Sequence, residues 1–289
     1  MSSTLTGRPA TPVFSDLSPR LGVAVEGIDL RGTLAPGMFA RLRQALLDRQ
    51  VLCIRGQDIG PAEFLATMRM FGEPEIRPYI PHVEGFPEVT TISSGDRDTQ
   101  GDGGRLVVGA TWHTDDSFRS APSALTALYG VEVPEVGGDT EFANLYDAYD
   151  ALPEATKHRL AGLKAVHMMK PDREGIGRVR SLAPDVRAAA VPSVHPVVRT
   201  HPDTGRRSLY ISRNRMDGIV GMDRAEGHRL IDELTAHAIQ PRFVYRHKWR
   251  KGDLTIWDNR CLIHKANGDY PEGMRRFMRR IILLGDVPV

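Results

Sequence analysis

Short apolar runs separated by turn residues dominate this chain and predict many short β-strands. The run VLCI is continuously apolar, which is typical of a strand buried on both faces, and the turn residues Gly56-Gln57-Asp58 follow it. A His-Pro-Asp-Thr-Gly turn between HPVVRT and RSLYIS predicts a hairpin over residues 195–212. The other strands are predicted over residues 21–30, 51–54, 123–133, 242–249, 253–258 and 276–284.

Fewer segments have the helical period of apolar residues. Three of them cover residues 36–50, 61–72 and 223–239, and a fourth, over 147–163, is interrupted at Pro153. Many short strands with few helices indicate an antiparallel β-sandwich or barrel with the helices packed outside.

Three segments lack a regular spacing of apolar residues. Residues 1–20 are rich in Ser, Thr and Pro, and we predict a flexible N-terminal arm there, followed by a single domain over residues 21–289. The glycine-rich segment 94–110 and the arginine-rich segment 170–192 are loops, either lids over a site or plain surface loops.

Composition narrows the class of protein. The 289 residues are 41% hydrophobic and 26% charged, and the formal net charge is +2 without a basic stripe, so a nucleic-acid or membrane-surface role has no support. The N-terminus lacks a signal-peptide pattern, and no apolar run approaches the ~20 residues that span a bilayer. Cys53 and Cys261 each lie in an apolar run, and we predict that both are buried free thiols. Because free thiols are typical of a reducing compartment, we expect a cytoplasmic protein.

The sequence Trp112-His113-Thr114-Asp115 offers the first metal-ligating pair. On a strand, residues i and i+2 face the same side, so His113 and Asp115 can reach one ion together, and His264 is a third donor at the end of another strand. Two histidines and one carboxylate leave coordination positions open, as in non-haem Fe(II) oxygenases. A His-x-Asp pair alone is also common as a surface or capping feature.

Two arginines follow the third candidate ligand at an even spacing. Arg275 and Arg279 come eleven and fifteen residues after His264, and a spacing of four puts both on one strand face. Arginine can clamp a carboxylate with two parallel hydrogen bonds. The alternative is a solvated basic run, but the segment leads directly into the apolar IILLG.

At this point the sequence resembles the family of taurine dioxygenase and 2,4-dichlorophenoxyacetate dioxygenase, from about residue 20 to the C-terminus. The motifs that carry the resemblance are TWHTDDSF (111–118), VGGDTEFAN (136–144), HPVVRTHPDTG (195–205), IWDNRCLIHKA (256–266) and RRFMRRIILLGD (275–286). The resemblance implies a mainly β fold, a double-stranded β-helix (jelly-roll) core with surrounding α-helices. It also implies Fe(II), with 2-oxoglutarate and dioxygen as cosubstrates.

The resemblance further implies a role for each matched residue. His113, Asp115 and His264 match the iron ligands. Thr140 and Arg275 match the residues that bind the distal carboxylate of 2-oxoglutarate. Arg279 matches the arginine that holds the anionic group of the substrate, and Arg77 matches a histidine that contacts the sulfonate in the taurine enzyme.

Departures from the family pattern concern the substrate. Gly109 and Ile80 stand where the taurine enzyme has an asparagine and a tyrosine, so we expect taurine to be a poor substrate. Arg77, together with Arg213 or Arg215 if either points inward, favours a more strongly anionic compound. We expect hydroxylation of a small sulfonate, aryloxy or other carboxylate, sulfate ester or phosphate ester, and a homo-oligomeric protein.

Two rival functions remain open from the sequence. A Zn(II) hydrolase could use the same two histidines and one aspartate, because zinc accepts these donors, but it would not need a keto-acid clamp. A non-catalytic binding module is the second rival, although a binding protein has no need of an open metal site.

Overall fold

A computed structural model describes residues 11–96, 106–169 and 191–289. These residues form a mainly β structure with sixteen strands and five helices, and its jelly-roll architecture with helices outside confirms the predicted fold class. The strands are β1 (Val13–Asp16), β2 (Val23–Glu26), β3 (Val51–Ile54), β4 (His82–Val83), β5 (Phe86–Ser93), β6 (Leu125–Glu132), β7 (Thr140–Asn144), β8 (Lys164–His167), β9 (Ser193–Pro196), β10 (Val198–Thr200), β11 (Arg207–Leu209), β12 (Met216–Ile219), β13 (Val244–His247), β14 (Leu254–Asp258), β15 (Leu262–Ala266) and β16 (Phe277–Ile282). The helices are α1 (Pro36–Arg49), α2 (Pro61–Phe71), α3 (Leu145–Asp150), α4 (Glu154–Leu160) and α5 (Arg224–Ala238).

The strands form one large sheet and three small ones. The large sheet has the order β1-β2-β3-β14-β6-β16-β5-β4, and the three-stranded sheet β13-β7-β15 contributes the opposite wall of the roll. The other two sheets are β12-β8-β9 and β10-β11. The antiparallel pairing of β10 with β11 confirms the hairpin predicted over residues 195–212. Neighbouring strands in the central part of the large sheet come from distant parts of the sequence, so the fold depends on long-range pairing.

Helix boundaries follow local chemistry. Both α1 and α2 begin with proline, whose fixed φ suits the first helical turn and whose missing N–H costs nothing there. Asp223 caps α5 by accepting hydrogen bonds from the backbone N–H groups of Ala225 and Glu226.

Three apolar clusters stabilise the fold. The first lies between the large sheet and helices α1 and α2, and the second beneath α3 and α5. The third lies between the large sheet and the small sheet, and it includes Phe142, Trp257 and Met278. This inter-sheet cluster forms the floor of the candidate site.

Two expectations about local structure need correction. Residues 13–16 are not part of a loose arm, because they form β1 and pair with β2 from Val13–Glu26 to Asp16–Val23. His113 and Asp115 do not lie on a strand, since only His113 makes an isolated bridge and the chain turns directly after Thr114. Most of the predicted loops 94–110 and 170–192 lies outside the described residues.

Cys53 and Cys261 are both buried and free, as predicted. Burial raises the pKa of the Cys53 thiol to about 12, so this residue is an inert, neutral core side chain. Among the residues that the structure describes, no helix is both long enough and apolar enough to cross a membrane.

Candidate metal centre and adjoining cavities

His113, Asp115 and His264 meet at one point between the two main sheets. His264 lies in the middle of β15, and His113 is joined to it by two backbone hydrogen bonds, of 3.0 Å and 2.7 Å. The three potential ligand atoms lie within 4.8 Å of one another. The backbone bridge between His113 and His264 therefore brings the two imidazole rings together, and the turn after Thr114 brings the Asp115 carboxylate close to both rings. The cluster forms without the strand that was expected to carry both His113 and Asp115.

The histidine hydrogen bonds suit metal binding. His113 Nδ1 lies 2.7 Å from the carbonyl oxygen of Thr111, which fixes that nitrogen as the donor and leaves Nε2 as a lone-pair donor. His113 Nε2 lies 3.5 Å from Asp115 Oδ1, and His264 Nε2 lies 3.9 Å from Asp115 Oδ2. Two imidazole nitrogens and one carboxylate fit a divalent transition metal that keeps open positions.

Charges around the cluster keep it in the ligating protonation state. Burial opposes ionisation of Asp115, but His264, His113 and Arg280 outweigh burial and hold the pKa of this carboxyl well below its usual range. Burial lowers the pKa of His264 to about 3, so this imidazole is neutral at physiological pH. Both groups are thus ready to bind a cation without first releasing a proton.

A hydrogen-bond network holds Asp115 from behind. Thr126, on β6, donates a hydrogen bond of 2.6 Å to Asp115 Oδ2 and accepts one of 2.9 Å from the Asn259 side-chain amide. The Asn259 side-chain oxygen in turn accepts hydrogen bonds from Trp257 Nε1 and from the backbone N–H of Asp115. The turn between β14 and β15 therefore fixes the carboxylate at its side chain and at its backbone.

We expect Thr126→Val to weaken metal binding while the fold persists. Valine keeps the shape of threonine but removes the hydroxyl that orients Asp115, and loss of such an outer-shell partner typically costs about 10–100-fold in metal affinity. A Mn(II) titration followed by electron paramagnetic resonance measures this effect. Thr67→Val, at a buried threonine of α2 away from the cluster, is the matched control, and an equal loss in both variants would contradict a positioning role for Thr126.

A narrow inner recess lies on one side of the cluster. Thr140, Trp257 and Arg276 line it together with His264. Arg276 is 7% exposed, its Nε donates to the carbonyl oxygen of Gly138, and no carboxylate among the described residues pairs with it. Thr140 Oγ1 accepts a hydrogen bond from Trp249 Nε1, which leaves the Thr140 hydroxyl hydrogen for a ligand.

The position of Arg276 corrects the predicted register of the C-terminal arginines. Arg275 points to solvent with a side chain that is 74% exposed, and its Nε lies 3.3 Å from Glu132. Arg279 also points away from the cluster, because its Nη1 donates to the carbonyl oxygen of Ile59. Arg276 and Arg280 line the recess instead, twelve and sixteen residues after His264.

Strand alternation explains why an error of one residue is decisive. Successive side chains of a strand face opposite sides of the sheet, so a shift of one residue moves each side chain to the other face. Met278 packs in the inter-sheet cluster, whereas Ile281 packs in the cluster under α1 and α2. Met278 and Arg280 therefore lie on the site face of β16, whereas Arg279 lies on the other face. Arg276, directly before the strand, also lines the recess, and Arg275 points to solvent.

A larger outer cavity of about 350 Å³ lies on the other side of the cluster. His113, Asp115 and Arg280 belong to both cavities, so ligands in the two would meet at the metal. Apolar side chains such as Ile80 and Phe118 line much of the outer cavity. Gly109 also belongs to both cavities, and a Cβ at this position would stand 3.0 Å from the His113 ring.

Of the arginines predicted to bind substrate from the 212–215 segment, one points inward. Arg215 lines the outer cavity, its Nη1 donates to the carbonyl oxygen of Met169, and its guanidinium carbon lies 5.3 Å from the centre of the Phe118 ring. Burial lowers the pKa of Arg215 to about 10, so it stays charged at neutral pH, and none of the described residues offers it a carboxylate partner. Arg213 points outward and pairs with Asp232 at 2.7 Å.

Arg77 also lines the outer cavity, but it is not a free cation. Its guanidinium is hydrogen-bonded to the carboxylates of Glu75 and Asp116, so it does not add the free positive charge that was expected to favour a more strongly anionic substrate.

Arg276, Arg280 and the support of Asp115 by Thr126 and Asn259 were not predicted from the sequence. The apolar residues that follow the arginines indicate a strand with one buried face, and this pattern was the signal for Arg276 and Arg280. The network around Asp115 had no signal in the sequence, because Thr126 and Asn259 are 133 positions apart.

Comparisons with known proteins show what the whole chain is similar to. The family model "Taurine catabolism dioxygenase TauD, TfdA family" matches residues 13–282. The chain is 35% identical over 288 residues to the alpha-ketoglutarate-dependent 2,4-dichlorophenoxyacetate dioxygenase of Cupriavidus pinatubonensis, with 96% of this chain and 99% of that protein covered. It is 32% identical over 285 residues to the alpha-ketoglutarate-dependent sulfate ester dioxygenase of Pseudomonas putida, with 93% and 88% covered.

A solved structure adds evidence on the fold. The crystal structure of AAD-2 in complex with Mn(II) and N-oxalylglycine superposes with a TM-score of 0.81 at 32% sequence identity. The match covers 96% of this chain and 99% of that one.

Proposed function

Because the chain belongs to the taurine catabolism dioxygenase TauD, TfdA family, we propose that it hydroxylates a C–H bond of a small organic monoanion, with Fe(II) at His113, Asp115 and His264. It is an oxidoreductase of the 2-oxoglutarate-dependent dioxygenase class. The single observation that carries the proposal is the inner recess, where buried Arg276, which pairs with no carboxylate in the part of the chain that the structure describes, lies in one lining with His113, Asp115 and His264.

The donor set fits the proposed metal. Two histidines and one carboxylate occupy three of the six positions of an octahedral ion and leave three open. When bound, Fe(II) supplies the activation of dioxygen in a reaction that converts 2-oxoglutarate, O₂ and R–H into succinate, CO₂ and R–OH. The protein contributes the positions of both organic molecules and the exclusion of bulk water.

Arg276 and Thr140 are suited to hold the distal carboxylate of 2-oxoglutarate. Arg276 has its Nε engaged with Gly138, so its two terminal nitrogens can form parallel hydrogen bonds to a carboxylate. Thr140 has a free hydroxyl hydrogen that can add a third bond. A buried cation without a carboxylate partner is costly, and a dicarboxylic acid with one end at the metal would compensate it. A Zn(II) hydrolase on the same ligands would have no use for this clamp.

The outer cavity is suited to an apolar molecule with one anionic group. Ile80 and Phe118 provide apolar contact area. Arg215 provides a positive charge, and its guanidinium carbon lies 5.3 Å from the centre of the Phe118 ring. Arg280 lies at the wall shared by both cavities, next to the metal ligands. The role predicted for Arg279 therefore passes to Arg215, while the charge of Arg280 acts on the carboxylate of Asp115. Gly109 and Ile80 supply no hydrogen-bonding group for an amine, which disfavours taurine.

A substrate panel tests this proposal. Oxygen consumption is measured in the presence of Fe(II) and 2-oxoglutarate with alkyl sulfonates, aryloxy acids, sulfate esters and taurine. We expect an aryl or alkyl monoanion without an amino group to stimulate oxygen uptake most, and the highest rate with taurine would contradict the proposed cavity chemistry.

We expect Arg215→Ala to raise the KM of the preferred monoanion with a much smaller change in kcat. A hydrogen bond to a charged group contributes about 1.5–3 kcal/mol, which corresponds to roughly 10–150-fold in KM. Arg213→Ala is the matched control, because it removes the same charge two positions away on the outer surface. Steady-state kinetics give KM and kcat for both variants with the preferred monoanion. Similar KM values for the two variants would remove Arg215 from the substrate site.

A further inference from the structure

Three charged side chains of the outer cavity wall, Arg77, Asp116 and Arg119, form a cluster with the adjacent Glu75, which we call the rim cluster. The formal charge of the rim cluster is zero. Glu75 Oε2 accepts hydrogen bonds from Arg77 Nε at 3.0 Å and Arg77 Nη2 at 2.7 Å, while its other oxygen pairs with Arg119. The Glu75 and Arg77 side chains are only 13% and 11% exposed.

Arg77 has almost no hydrogen-bonding capacity left for a substrate. Asp116 accepts from both terminal nitrogens of Arg77, including Nη1 at 3.3 Å. Together with the two bonds to Glu75, four of the five N–H groups of the guanidinium are occupied by carboxylate oxygens. Turning Arg77 toward a ligand would leave a half-buried carboxylate unpaired, which is costly.

The two carboxylates are held in place independently of Arg77. Ser123 donates a hydrogen bond of 2.6 Å to Asp116 Oδ2, and the φ of 54° puts Asp116 in the left-handed backbone region, which is uncommon for residues other than glycine. The backbone N–H of Glu75 is bonded to the carbonyl oxygen of Ile282 in β16. Burial opposes ionisation of Glu75, but Arg77 and Arg119 keep its pKa below the usual range, so it is charged.

We infer that Glu75 is a specificity-determining residue that limits the outer cavity to substrates with one negative charge. Together with Asp116, it neutralises Arg77 and Arg119 in the cavity wall. The charge of Arg280 acts on the carboxylate of Asp115, so Arg215 is left to hold the anionic group of the substrate. A dianion would bring a second charge into a partly buried site without a partner, so discrimination arises from the missing counter-charge. This inference rests on the proposed function only for the identity of the outer cavity as the substrate site.

The test is an anaerobic calorimetric titration with two probes of equal shape, phenyl sulfate and phenyl phosphate. Above pH 7 the sulfate carries one negative charge and the phosphate close to two. The protein is loaded with Fe(II) and 2-oxoglutarate. We expect the wild type to bind phenyl sulfate more tightly, and Glu75→Gln to raise the affinity for phenyl phosphate relative to phenyl sulfate by about tenfold, the order expected for one added charge across a partly buried cavity.

Two further variants sharpen the result. Glu73→Gln makes the same change of charge at an exposed position outside the cavity and is expected to leave the ratio of affinities unchanged. The double variant Glu75→Gln/Arg77→Gln restores a neutral rim cluster and is expected to return the ratio to the wild-type value. If Glu75→Gln does not fold, Arg77→Gln serves in its place, and it should shift the ratio further toward phenyl sulfate.

An unchanged ratio in the single variants, tighter binding of phenyl phosphate by the wild type, or binding of neither probe would overturn the inference. The titration needs no turnover, so it is independent of the reaction. Failure of the proposed function would be seen separately, as a wild type that prefers phenyl sulfate but forms no succinate from 2-oxoglutarate.

Discussion

Replacement of His113, Asp115 or His264 by alanine is expected to abolish 2-oxoglutarate turnover in each case. The three ligand atoms lie within 4.8 Å of one another, and two remaining ligands cannot hold an ion that must keep three positions open. The loss should greatly exceed the roughly 10–100-fold that removal of an outer-shell partner such as Thr126 costs. Succinate formation with saturating Fe(II) measures the effect.

The same variants need a control for folding. Far-ultraviolet circular dichroism in the absence of metal should resemble that of the wild type in each variant. The thermal unfolding temperature should fall most in His264→Ala, because the His264 ring packs 4.7 Å from the Trp257 ring of the inter-sheet cluster. His158→Ala, at an exposed histidine of α4, should retain full activity. Near-normal turnover in any one of the three ligand variants would remove that residue from the metal site.

Arg276→Ala is expected to raise the KM for 2-oxoglutarate by roughly 30-fold or more, whereas Arg275→Ala should change it less than about twofold. Truncating one partner of a buried charge pair costs on the order of 2–5 kcal/mol, and Arg276 is 7% exposed in the recess. Arg275 is 74% exposed, and surface ion pairs such as the one with Glu132 contribute about 0–1 kcal/mol.

The two neighbouring arginines form a matched pair, since both variants remove the same side chain from adjacent positions. Arg276→Lys should recover only part of the affinity, because lysine keeps the charge but loses the planar fork that binds a carboxylate with two bonds. A strong effect of Arg275→Ala with a weak effect of Arg276→Ala would contradict the strand register described above.

Local patterns predicted many of the strands and helices and the pairing of His113 with Asp115, whereas the jelly-roll arrangement, which depends on long-range strand pairing, was implied by the family resemblance. The continuous apolar run of β3, the prolines that begin α1 and α2, and the His-x-Asp spacing are each visible within a few residues. The third ligand, His264, was found because it follows an apolar strand at the expected place in the motif order.

The arginines were harder to place because their roles depend on register and on partners. Counting eleven residues from His264 selected Arg275, but the loop between β15 and β16 has its own length, and only the strand itself decides which residues face the site. Arg77 was correctly placed beside the outer cavity but was taken for a free cation. Its partner Asp116 is 39 positions away and takes up an unusual backbone conformation, which the sequence does not reveal.

We propose that this chain couples oxidation of 2-oxoglutarate to hydroxylation at the His113, Asp115 and His264 centre. The most direct measurement is succinate formed per oxygen consumed by the purified protein with 2-oxoglutarate and its preferred monoanion. We predict one succinate per O₂ with Fe(II), none in the absence of oxygen, none with Zn(II), and none in His264→Ala. A product that forms from the monoanion without oxygen and with Zn(II), or succinate formation that persists in His264→Ala, would contradict the account.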